Sequence, residues 1–144
     1  IEPGKSVVGD TGILLTRVTG MKASYKSYIG VDAGMETLMR PALYGAYHHV
    51  VNASRLNSRS NEFVHICGQI CENTDILAKN RKLGNVKEGD LLAILNVGAY
   101  GFSMSSQYNF RPRPAEVLVH QGQSRLIRRA ESFEDLTQGF VDFN

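Results

Sequence analysis

Cysteine is scarce: only Cys67 and Cys71 occur among 144 residues. So few thiols argue against a disulfide scaffold and make a reducing cytoplasm the default setting. Charge of one sign is missing too. Sixteen lysines and arginines face 14 acidic residues, a net charge of +2, and the basic residues are dispersed apart from Arg125, Arg128 and Arg129. A nucleic-acid partner is therefore not expected. No apolar run reaches the roughly 18 residues of a membrane helix, and the opening residues lack a signal-peptide pattern. The G-x-S-x-G, P-loop and Rossmann fingerprints are also absent. Nor is a metal site expected. Zinc takes about four ligands, and the alternation around His65, Cys67 and Cys71 spreads those three over both faces of a strand.

What is present reads as one mainly β domain with a real core. Strand-like stretches are Gly12–Thr19, Ser27–Asp32, Tyr47–Ala53, Phe63–Gly68, Asp90–Val97, Ala115–His120 and Arg125–Arg129. Most are short and separated by Gly, Asn, Ser and Pro, the spacing of a β-sandwich or barrel. Gly122 marks a hairpin turn between the last two. Short helices are expected near 6–10, near 103–106 and over 132–140, where Ser132 can cap, Asp135 sits three residues on and Gly139 can stop the helix. The polar segment 52–61 reads as a surface loop, and NFRPRPAE (109–116) as an extended connector. The four histidines, His48, His49, His65 and His120, read as packing or surface residues. The chain opens IEPGKSVVGD on what looks like the end of a buried strand, so a longer protein with an upstream remainder is expected.

Four stretches carry chemistry. In IEPGKS, Gly4 allows close approach of a ligand to the backbone, Lys5 adds positive charge, and Glu2 can face a ring nitrogen or a cation. In MRPALYGAYH, Arg40 and Tyr44 lie four apart on one side of a helical turn, a guanidinium beside a phenol that suits a carboxylate. In ICENTD, Cys71 stands beside Glu72 in a polar context. A thiol next to a carboxylate keeps its proton more readily, which suits a proton donor better than a nucleophile. In LNVGAYGFS, Gly98 and Gly101 flank Tyr100 so that its ring can stand in a tight loop against a phosphate or a cofactor.

Taken together and in order, EPGKSVVGDTGILLTRV, VDAGMETLMRPALYGAYH, GQICENTDILAKNRKL, EGDLLAILNVGAYGFSMSSQYNFRPRPAEVLV and LIRRAESFEDL resemble the C-terminal part of the alanine-racemase-like (fold type III) pyridoxal-phosphate decarboxylases that act on ornithine, diaminopimelate and arginine. The resemblance covers nearly the whole chain and is strongest to the diaminopimelate branch. It implies a C-terminal β-sandwich or Greek-key barrel domain over 11–144, with 1–10 ending an upstream (β/α)8 barrel. That barrel carries the lysine that holds the cofactor, so this chain alone is expected to be inactive.

The resemblance also assigns roles. Glu2, Gly4 and Tyr100 contact pyridoxal 5'-phosphate, while Lys5, Arg40, Tyr44 and Glu72 contact the amino-acid substrate. Cys71 is the proton donor. Cys71 and Glu72 reach across a homodimer into the neighbouring site. The reaction implied is meso-diaminopimelate to L-lysine and CO2. The alternatives are a decarboxylase of a related or carrier-protein-bound amino acid, or a non-catalytic β interaction module. One departure stands out: the family motif usually ends EPGR, and Lys5 replaces that bidentate fork with a point charge.

Overall fold

Thr16 and Val18 point inward along Ile13–Ala23 (β1) while Ile13, Leu15 and Arg17 point out, the period-two pattern of a strand buried on one face. The computed structural model describes residues 1–59 and 62–141. They divide into two compact units, Ile1–Ser105 and a second from Ser106 on.

The first unit is a six-stranded sheet. After β1 come β2 (Ser27–Val31), β3 (Val50–Asn52), β4 (Phe63–Cys67), β5 (Ile76–Lys82) and β6 (Leu91–Leu95), in the spatial order β3-β6-β1-β2-β4-β5. All pairs are antiparallel except β2 with β4. The sheet curls round a core of Val18, Ile29, Val31, Leu38, Ile66, Leu77, Leu92 and Ile94, each 1% exposed or less. The curl nearly closes a barrel. The Arg81 guanidinium of β5 lies 4.1 Å over the ring of Tyr47, just ahead of β3, and clasps the two edges of the sheet. Asp90 pins the loops beneath β6. Its Oδ2 accepts from Asn52 Nδ2, Arg55 Nε and the Lys87 amide at 3.1, 3.1 and 2.9 Å.

Two short helices punctuate this unit. α1 (Gly4–Val8) begins after Pro3, whose carbonyl accepts from the Ser6 amide and hydroxyl. α2 (Arg40–Tyr44) has Pro41 in its first turn, where the missing N–H costs nothing, and stops at Gly45 in the left-handed region, φ 63°.

The second unit holds a hairpin of β7 (Glu116–His120) and β8 (Gln123–Arg128), then α3 (Phe133–Thr137). Gln121 and Gly122 both take positive φ, 50° and 75°, as a tight two-residue hairpin turn requires. α3 opens with a full capping box between Ser132 and Asp135, and ends before Gly139. Glu131 secures the segment ahead of it, accepting from the Arg113 amide and Nε at 2.8 and 2.7 Å. Among the described residues, no helix is long and apolar enough to cross a membrane.

Several expected bounds shift. The Tyr47–Ala53 strand shrinks to Val50–Asn52, because Tyr47 turns under Arg81 and bonds His49 Nδ1 at 3.2 Å instead of joining the ladder. The turn near 103–106 is a 3-10 turn at Phe102–Met104. In the 52–61 loop, Ala53–Arg55 forms a 3-10 turn capped by Asn52; Ser60 and Asn61 lie outside the described residues. β5 was not expected from the pattern at all.

Candidate functional site

The loop after β6 is built by glycines in close contact. The Gly98 amide bonds the Gly9 carbonyl at 3.0 Å, and the Val97 amide bonds the Gly12 carbonyl at 3.0 Å. A Cβ on Gly98 would stand 1.9 Å from the Val8 carbonyl oxygen, and one on Gly12 would stand 2.4 Å from the Gly98 nitrogen. The end of α1 is thereby pressed onto the 97–101 loop. At the loop's tip Tyr100 adopts φ 59°, an uncommon conformation for an aromatic residue. Such strain persists where surrounding structure enforces it, and it clusters at ligand sites.

Tyr100 is the hub of a small cluster. Its hydroxyl would lie 3.6 Å from a Cβ on Gly4, so the start of α1 runs directly past it. The Arg40 guanidinium lies 5.7 Å from the Tyr100 ring centroid and 5.7 Å from that of Tyr44. Gly4, Arg40, Tyr44 and Tyr100 thus meet from three separate stretches of sequence. Tyr44 and Tyr100 remain 64% and 47% exposed, so their rings are open to a ligand. Glu2 and Lys5 are exposed on either side of Gly4.

His48 adds to this region, and its sequence context gave no sign of it. The side chain is buried, and its Nδ1 lies 3.0 Å from the Leu95 carbonyl. A carbonyl only accepts, so Nδ1 carries the hydrogen and Nε2 is an acceptor. That buried Nε2 has no hydrogen-bond partner among the described residues. Burial pushes the imidazole below its ordinary range; Arg40 and Lys5 push the same way, against the Leu95 bond.

Cys71 and Glu72 form a second group, on the connection between β4 and β5. Cys71 is exposed and Glu72 half-buried. The loop folds back on itself: the Gly68 amide bonds the Asp75 carbonyl and the Asp75 amide bonds the Glu72 carbonyl, each at 3.0 Å. Cys67 is a different kind of thiol. It is half-buried with its Sγ 3.5 Å from the Ile29 carbonyl, and burial, aided by Asp75, pushes its pKa up.

The first group is rich in donors and cations: a guanidinium, an ammonium, two phenols and backbone at a glycine. That set suits a carboxylate or phosphate beside a flat ring, since Arg and Lys hold oxyanions and the tyrosine faces accept stacking. With no side chain at Gly4, its backbone lies open beside the Tyr100 hydroxyl. The residues present fit pyridoxal phosphate.

Comparison with known proteins points the same way. The family model described as "Pyridoxal-dependent decarboxylase, C-terminal sheet domain" matches residues 6–98. Diaminopimelate decarboxylase of Methanothermobacter thermautotrophicus is 52% identical over 139 residues, 96% of this chain and 32% of that protein. The Archaeoglobus fulgidus enzyme of the same name is 50% identical, over 96% of this chain and 33% of its own length. Among solved structures, diaminopimelate decarboxylase of Methanocaldococcus jannaschii superposes with a TM-score of 0.90 at 41% identity, covering 96% of this chain and 32% of that one. The Helicobacter pylori enzyme complexed with L-lysine gives 0.85 at 37%, covering 93% and 33%. The chain spans about a third of the length of these relatives. With close relatives over nearly its whole length and a family model matching residues 6–98, this chain belongs to the pyridoxal-dependent decarboxylases, as their C-terminal sheet domain.

Proposed function

We propose that this chain is the C-terminal part of a cytoplasmic pyridoxal-phosphate decarboxylase that converts meso-diaminopimelate to L-lysine and CO2. Residues 1–10 end its upstream (β/α)8 barrel, and the active site is completed across a homodimer. One observation carries the reading: Gly4, Arg40, Tyr44 and Tyr100, scattered along the sequence, converge on one open, donor-rich surface. The names of the relatives support the substrate.

The division of labour follows from the side chains. Glu2, Gly4 and Tyr100 would hold pyridoxal phosphate, Glu2 through its pyridine nitrogen, the Gly4 backbone through its phosphate and Tyr100 as the tyrosine beside it. Bound pyridoxal phosphate supplies the electron sink for the pair left on carbon when the C–C bond to CO2 breaks. Arg40 and Tyr44 bind a substrate carboxylate through the guanidinium and phenol. Lys5 adds a point charge where the family's arginine would offer a fork. Cys71, from the partner subunit, gives its Sγ proton to the carbon that CO2 leaves, and Glu72 binds the ammonium at the substrate's far end.

The test is CO2 release by the full-length protein with pyridoxal phosphate. It compares meso-diaminopimelate with ornithine, arginine and carrier-bound amino acids. Release from meso-diaminopimelate alone is expected; release from another substrate alone overturns the substrate and points to Lys5. Cys71→Ala should lower kcat by about 10²–10⁴, the range for loss of a positioned proton donor, while the cofactor's absorbance is retained. Unchanged turnover would remove Cys71 from its role.

A further inference from the structure

Asp75 is a buried carboxylate, 3% exposed, that no step above uses. Its two oxygens bind two different segments. Oδ1 accepts the Met35 amide at 2.7 Å, and Oδ2 accepts the Ile70 amide at 3.1 Å. Room for the carboxylate comes from two glycines. A Cβ on Gly34 would stand 2.4 Å from Oε2 of the buried Glu36 and 2.8 Å from Asp75 Oδ1, and one on Gly68 would stand 2.2 Å from Oδ2. A second contact runs alongside, from the Thr74 hydroxyl to the Met35 sulfur at 3.6 Å.

What lies on the two segments gives this its meaning. Ile70 immediately precedes Cys71 and Glu72. Met35 belongs to the turn closed by the Thr37 and Leu38 amides on the Gly34 carbonyl at 3.0 and 2.9 Å. That turn, anchored by fully buried Leu38, leads straight into α2 with Arg40 and Tyr44. A buried carboxyl that accepts from the backbone of two segments ties them together, and losing one bond strands a partly buried N–H.

We propose that Asp75 is a positioning residue: its carboxylate fixes the Cys71–Glu72 loop to the turn that aims Arg40 and Tyr44. The functional part rests on the reading above, in which those two pairs serve the sites of a dimer. The clamp couples the geometry of the pair a subunit keeps to that of the pair it lends. A side chain held this way acts on kcat through placement, since a shift of about 1 Å in a reacting group costs about a hundredfold.

Asp75→Asn, nearly isosteric, replaces one acceptor by an NH2 and tests the clamp in the full-length protein. Three readouts are taken: the rate at which iodoacetamide alkylates Cys71, resolved from Cys67 by peptide mass; hydrogen exchange across 68–76; and kcat with KM. The expected result is faster alkylation and exchange at the loop, with kcat lowered about tenfold to a hundredfold and KM within about twofold. Gly68→Ala, which crowds the same carboxylate with Asp75 intact, should reproduce it. A purely structural Asp75 would lower the melting temperature and yield but leave kcat per folded enzyme and Cys71 alkylation unchanged, and that outcome overturns the proposal. If both variants fail to fold, the wild type decides: the Met35 and Ile70 amides must exchange far more slowly than that of exposed Asn73, and equal rates refute the clamp. Should the wild type release no CO2, the decarboxylase reading fails, while alkylation and exchange still judge the clamp.

Discussion

Gly98→Ala tests whether the close approach of α1 to the 97–101 loop is as tight as it looks. The new methyl would meet the Val8 carbonyl oxygen at 1.9 Å and the Gly12 nitrogen at 2.9 Å, where ordinary contact begins at 3.4 Å. The obstacles are backbone atoms, which cannot rotate away. The strand end and α1 must separate, and with them goes the Gly98 amide bond to Gly9. Overpacking costs about 1–3 kcal/mol and the lost bond about 1 kcal/mol. The expected destabilisation is then about 2–4 kcal/mol, a large share of the roughly 5–15 kcal/mol that holds a domain together. Urea denaturation followed by far-ultraviolet circular dichroism reads this as a midpoint lowered by about 1–2 M, for a slope of about 2 kcal/mol per M. Gly20→Ala is the control, because a Cβ there meets nothing within 4 Å; its midpoint should move little. Equal midpoints for the two variants would refute the packing reasoning.

Two further outcomes follow from named contacts. The Arg113 side chain bonds Glu131, and against the opposing effect of burial it holds that carboxyl down to about 2 from an ordinary 4.5. A depressed carboxylate stabilises above its unfolded value and loses that contribution as pH falls through the folded one. Glu131→Gln should therefore weaken the second unit near neutral pH, with the gap to wild type shrinking below about 4.5 and vanishing below about 2; thermal melts across that range show it, and a gap that persists at low pH contradicts the assignment. At the barrel seam, a double-mutant cycle of Arg81→Met and Tyr47→Leu should give a coupling of about 0.5–1 kcal/mol, whereas additivity would mean the clasp contributes nothing.

Much of the fold was legible because single-face burial imprints period-two patterning. β1, β2, β4 and β6 all fall where alternation or short apolar runs placed them, and the Gly122 turn and the Ser132 cap follow from local chemistry alone. β5 escaped for a physical reason. Its apolar residues, Ile76, Leu77 and Ala78, are consecutive, the rest of the strand is Lys79–Lys82, and Asn80 sits at φ 52°. An edge strand carrying charge and a local kink has no clean period to read.

The candidate site shows the same divide. Arg40 and Tyr44 were visible as an i, i+4 pair, whereas the meeting of Arg40 with Tyr100 and Gly4 depends on long-range packing and became readable only through family resemblance. His48 is buried as a packing residue should be, but its enclosed Nε2 and the role of Asp75 were missed because both depend on burial. A histidine is ordinary in sequence until its Nε2 is enclosed without a partner. An aspartate after NT reads as polar loop until two glycines make room for its carboxylate.

The strand order carries a consequence for how the chain reaches this state. β6 is the last strand of the six-stranded sheet to be synthesised, yet it lies inside it, between β3 and β1. Until Leu91–Leu95 emerges, β1 has a partner on one side only and β3 has none in the sheet. The pairing Ile13↔Leu95 spans most of this unit, so closure waits on a contact of long sequence separation, the kind that slows folding. A ribosome paused before Leu91 exposes two hydrogen-bonding edges at once, both open to pairing with other chains. In living cells, this domain's hazard is concentrated in the interval before its sixth strand arrives, and a chaperone that shields β1 during that interval would protect it most.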